Sequence, residues 1–113
     1  MKAMLKFIAG AGLSGMAVSF ALAQPTFPVP LELWDQPRSG QIVLEQPAVR
    51  QAVNAYLAQP GASLVIHHAA GQEPLLQAEE LRAWLMALAV DAERIGLNGD
   101  LKSGEPLKIE VVK

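Results

Sequence analysis

The sequence predicts an α+β domain, a mixed sheet in the order β-α-β-α-β with two helices packed on one face. Three observations carry this expectation. Two segments repeat apolar residues at helical spacing. Ser63–His68 is a short run with an uninterrupted apolar centre, and Leu107–Val112 alternates as a closing strand. Strands and helices that alternate along a chain imply crossover connections within one layered sheet.

The first helix is expected over Pro47–Ala58. Pro47 suits the first helical position, where its missing N–H costs nothing. Val49, Val53, Tyr56 and Leu57 form a single stripe, and Pro60-Gly61 stops it. The strand Ser63–His68 contains Leu64-Val65-Ile66, which suits a strand covered on both faces better than an edge. Ala69–Pro74 reads as a loop. The second helix is expected over Gln77–Ile95, with Leu81, Trp84, Leu85, Leu88, Ala92 and Ile95 on its core face and Gly96 as terminator. Asn98-Gly99-Asp100 and Ser103-Gly104 read as turns. Gln41–Glu45, with Ile42, Val43 and Leu44, reads as a strand, and Leu31–Trp34 is a second candidate ahead of it, so the first strand is expected at one of the two.

The chain of 113 residues has room for one domain. Its first 23 residues read as a signal peptide. Lys2 and Lys6 precede an uncharged apolar run, Phe7–Phe20, and Ala21-Leu22-Ala23 supplies the small-x-small pattern that signal peptidase accepts. The run is too short and too rich in glycine to favour a membrane span. The expected location is therefore periplasmic or secreted, with no stable membrane span after cleavage near Ala23. Residues 24–30, with Pro25, Pro28 and Pro30, read as an extended lead-in, and 31–113 as the single domain.

After cleavage, seven basic residues would stand against eleven acidic ones, which argues against a nucleic-acid partner. The absence of cysteine excludes thiol catalysis, disulfides, thiolate metal sites and lipid attachment at a cysteine. No nucleophile elbow, phosphate-cradling glycine loop or HExxH pattern occurs. His67 and His68 are adjacent on a strand and point to opposite faces, so they cannot share one metal ion. Glu73, Glu79 and Glu80 gather at the start of the second helix, where acids oppose the helix dipole favourably. These readings imply no enzyme, no cofactor and no metal.

The stretches AVRQAVNAYLAQPGASLVIHH (48–68), LRAWLMALAVDAERIGL (81–97) and PLKIEVV (106–112) resemble, in order, the first helix with its buried strand, the second helix and the closing strand of OmpA-like domains. These are the peptidoglycan-associating modules of bacterial envelopes, and the resemblance covers about Leu31 to the C-terminus. It implies a non-enzymatic partner-binding domain, with peptidoglycan or another envelope component as partner. The family ends its buried strand in Gly-His-Thr-Asp and carries an arginine on its second helix. The aspartate meets the ammonium of the peptide-stem diaminopimelate, and the arginine its carboxylate. Here the matching run is His67-His68-Ala69-Ala70, with alanine in place of the aspartate. In one register Arg82-Ala83 matches the family's arginine and alanine, which makes Arg82 the candidate ligand-binding residue. In the other, Arg94-Ile95 matches a later Arg-Ile pair and Gln77 stands where the arginine belongs. The resemblance also leaves a second class open, a periplasmic protein-interaction or accessory module of the same shape whose ligand site has been lost.

Overall fold

The computed structural model describes residues 24–113, so the expected signal peptide lies outside the described residues. Within them the architecture is α+β. Strands β1 (Thr26–Pro28), β2 (Ser63–Ala69), β3 (Ile95–Leu101) and β4 (Lys108–Val112) form one mixed sheet in the order β1-β4-β2-β3. Helices α1 (Gly40–Glu45), α2 (Pro47–Ala58) and α3 (Gln72–Ala87) complete it, with short 3-10 turns at Leu31–Asp35 and Ala92–Arg94. β2 pairs with β3 in parallel and with β4 antiparallel. A parallel pair needs a crossover, which α3 supplies.

One face of the sheet is covered. Leu64, Ile66 and His68 of β2 are buried, as are Ile109 and Val111 of β4 and Ile95 of β3. The alternate residues Val65, His67, Lys108 and Glu110 are half-buried and face away from the helices. β2 is therefore central in the sheet but covered on one face only. Its unbroken apolar run reflects its two strand neighbours rather than a second helical layer.

The beginning of the chain departs most from expectation. The proline-rich lead-in contributes the edge strand β1, whose Thr26, Phe27 and Pro28 stand opposite Glu110, Ile109 and Lys108. An edge position tolerates proline because the missing donor lies on the unpaired side. Both expected first strands are helical. Leu31–Trp34 lies in a 3-10 turn, and Gln41–Glu45 lies in α1. Ser39 caps α1 by accepting the Ile42 N–H, and Arg50 donates to the carbonyls of Leu44 and Glu45 at its other end. The two caps outweigh the strand preference of Ile42-Val43.

α2 occupies its expected span. Its buried stripe is Ala48, Val49, Ala52 and Val53, whereas Leu57 is 60% exposed and stands off it. α3 starts and stops earlier than expected. Pro74 falls in its first turn, where proline is tolerated. Ala78, Leu81 and Leu85 are fully buried, while Trp84 and Leu88 are half-buried.

Ala89, not Gly96, terminates α3. Its φ of 86° is left-handed. The Val90 N–H donates to Leu85 O at 3.0 Å and the Ala89 N–H to Met86 O at 3.2 Å, the bond pair of a Schellman motif. Alanine in that conformation is strained where glycine is not, so Ala89→Gly should stabilise the domain by roughly 0.5–1 kcal/mol. A chemical denaturation midpoint no higher than wild type would contradict this.

Gly96 and the expected Asn98-Gly99-Asp100 turn belong instead to β3. A Cβ at Gly99 would stand 3.0 Å from Cε1 of the buried His68, so this strand residue gives the ring its space. The Ser103-Gly104 turn is present, with Gly104 at a φ of 89° and the Glu105 N–H donating to Lys102 O.

Candidate functional site

The carboxyl end of β2, where it hands over to α3, forms a groove of about 240 Å³. Ala69 of β2 and Glu73, Pro74 and Gln77 of α3 make one side. Leu31, Gly104, Glu105 and Leu107 make the other. The groove is apolar at its base, because Ala69 and Leu107 are buried, and carries carboxylates at Glu73 and Glu105. Glu105 is held in place by the Lys102 N–H, which donates to its Oε1 at 2.7 Å.

Arg82 does not line this groove. Its guanidinium donates to Ala92 O at 3.2 Å and ties the far half of α3 to the turn before β3. Five residues separate it from Gln77, which places it about 140° further around the helix and roughly 7.5 Å along it. The two side chains therefore cannot address one ligand from the same helical face. Gln77, with Glu73 and Pro74, is on the side of α3 beside the end of β2. Arg94, the other arginine that the resemblance brings forward, donates to Ala62 O at 3.2 Å.

The two histidines separate as adjacent strand residues must. His68 is 8% exposed, and its Nδ1 lies 2.8 Å from Ala69 O, so Nδ1–H donates there. His67 lies on the open face between two carboxylates. Its Nδ1 is 2.8 Å from Asp100 Oδ1 of β3, and its Nε2 is 2.8 Å from Glu110 Oε1 of β4. Burial works against charge on the ring, but the bonds to Glu110 and Asp100 outweigh it and hold the His67 pKa above its ordinary value. The bond from His67 in turn holds the Asp100 carboxyl below the usual range, against a smaller effect of desolvation. Separation in sequence hid this cluster, since the acids lie 33 and 43 residues away. Among the described residues, no group of three or more His, Asp or Glu is arranged to hold a metal ion.

A third polar cluster fastens the start of the chain to α3. Arg38 makes a two-pronged pair with Glu80, whose Oε2 also accepts from Trp84 Nε1 at 3.0 Å. The Arg38 guanidinium lies over the Trp34 ring, 5.2 Å from its centroid. The Arg38 bond holds the Glu80 carboxyl below its usual range, desolvation opposing and the Trp84 bond assisting. Because α3 begins at Gln72, Glu79 and Glu80 lie about two turns inside it and only Glu73 keeps the expected place in the first turn; Glu80 instead holds Arg38 and gives Trp84 a polar duty besides its packing.

No family model, curated protein or solved structure matches the chain. Among the described residues, no helix is long and apolar enough to cross a membrane.

Proposed function

We propose that this chain is an exported, non-enzymatic cell-envelope domain of OmpA-like shape that binds a protein partner through the groove at the end of β2. The observation that carries this reading is the groove's composition. It stands where the resemblance would place a peptide stem, at the end of the central strand and against the second long helix. Yet Ala70 follows β2 in place of an aspartate, and Gln77 lines the groove where an arginine would have to be. With no cation among the lining residues and with Glu73 and Glu105 present, the groove has nothing to pair with a ligand carboxylate. An apolar floor with an acidic rim suits a peptide segment that combines apolar and basic side chains.

Peptidoglycan association is the second reading, and Arg82 is its residue. That site would lie on another part of α3, with one guanidinium nitrogen already held by Ala92 O and the remaining N–H groups left for a carboxylate. Photo-crosslinking in intact cells separates the two. A photoreactive residue at Gln77 should give a discrete protein adduct, and one at Asn54, on the exposed side of α2, should not. Crosslinks from Gln77 to cell-wall fragments alone would overturn the proposal.

A further inference from the structure

We propose that His67, Asp100 and Glu110 form a pH-sensitive clasp that holds the end of edge strand β3, and with it one wall of the groove, when the imidazole is charged. The wall is continuous with the strand. β3 ends at Leu101 and runs directly into the Lys102–Glu105 turn, whose Gly104 and Glu105 line the groove.

The geometry requires a charged ring. Both ring nitrogens lie 2.8 Å from carboxylate oxygens, and only the imidazolium has an N–H for each. A neutral ring keeps one donor and turns a lone pair toward the other carboxylate. The bond then lost leaves a repulsive contact on either β3 or β4. β3 is the weaker anchorage, because it is an edge strand paired only with β2. Its register with β2 also shifts between His67 and Ala69, beside Asp100. β4 is paired on both sides.

The charged groups facing the ring are few. β3 contributes Asp100, and β4 contributes Glu110 together with Lys108, which stands opposite His67 in the register. β1 contributes no charge there, since Thr26 is the residue opposite Glu110. β2 itself offers Val65 and Ala69 on either side, and the helices cover the other face. Two cations thus meet two anions, and deprotonating His67 leaves a net negative cluster.

Because the folded-state value for His67 is raised, the clasp is fully formed below the ordinary histidine value of 6.5 and is lost as pH rises through the folded value. The Asp100 value is lowered, so the acid limit comes only as pH falls through that lower value. The clasp is therefore closed in mildly acidic medium and opens on the alkaline side.

The groove's regulation rests on the proposed function, but the clasp can be tested without any ligand. Amide hydrogen exchange of the exported protein, corrected for intrinsic rates, should show protection of Gly99–Leu101 falling as pH rises above the ordinary histidine value of 6.5. The loss should reach up to about tenfold per pH unit between the ordinary and folded His67 values, while β4 holds steady. His67→Gln should abolish this pH dependence, and Asp100→Asn, at an exposed position, should do the same should His67→Gln fail to fold. The His67 ring signals should titrate above 6.5. Protection at Gly99–Leu101 with no more pH dependence than that of β4, or a His67 ring that titrates at or below 6.5, would overturn the clasp.

Discussion

Leu85→Ala should destabilise the domain by roughly 2–5 kcal/mol, the range for truncating a fully buried leucine. Leu85 is 0% exposed and lies in the core with Leu81, Val43, Val49 and Ile66. It also sits at the end of α3, where its carbonyl accepts the Val90 N–H of the terminating motif. The substitution keeps that carbonyl, so the loss is one of packing rather than of the cap. With a urea dependence of about 1–2 kcal/mol per molar, the midpoint should fall by at least about 1 M. An unchanged midpoint would mean that the face of α3 assigned to the core is wrong.

Ile66→Asp should have a larger effect and remove the cooperative fold at neutral pH. Ile66 is 0% exposed at the centre of β2, flanked in the register by Ile109 of β4 and Leu97 of β3. A carboxylate there would meet no donor or cation, and burying it costs at least several kcal/mol even after it takes up a proton. Domains of this size have a total stability of about 5–15 kcal/mol. Near-ultraviolet circular dichroism should lose its tryptophan signal. A variant that unfolds cooperatively within about 1 kcal/mol of wild type would contradict the placement of β2 between β4 and β3.

The parts of the fold legible in the sequence are those whose periodicity was set by burial. α2, β2 and β4 are read nearly to the residue, because Val49 and Val53, Leu64 and Ile66, and Ile109 and Val111 face the core at the spacing of their element. Three elements depart from that rule. β1 has three residues and contains Pro28, so its strand character lies wholly in its pairing with β4. α1 carries Ile42-Val43, and its two ends are satisfied by Ser39 and by Arg50, which lies beyond its end. β3 has the composition of a turn, Asn98-Gly99-Asp100, and is a strand because β2 offers it a parallel partner and His68 needs the space at Gly99. Local composition cannot report the tertiary supports of β1 and β3, whereas the Ser39 cap of α1 lies three residues from the amide it serves and is masked by the strand preference of Ile42-Val43.

The candidate sites divide along the same line. The absence of an acid at Ala70 is plain in the sequence, and so is the competition between Arg82 and Gln77. Only the fold shows that Gln77 borders the groove and that Arg82 bonds to Ala92 O. The alternation of LKIEVV already places Glu110 on the side away from Ile109 and Val111. Its meeting with His67 follows from the β2–β4 register, and that of Asp100 from the irregular β2–β3 register. No spacing rule would have found either contact.

Sedimentation of the protein with purified cell-wall sacculi tests the central proposal most directly, with Arg82→Ala as its companion. The expected result is that wild type stays in the supernatant, because the groove offers no cation to a stem-peptide carboxylate, and that Arg82→Ala behaves identically. Retention of wild type on the sacculi, abolished by Arg82→Ala with the fold intact, would contradict the protein-partner reading and return Arg82 to the role that the family resemblance implies.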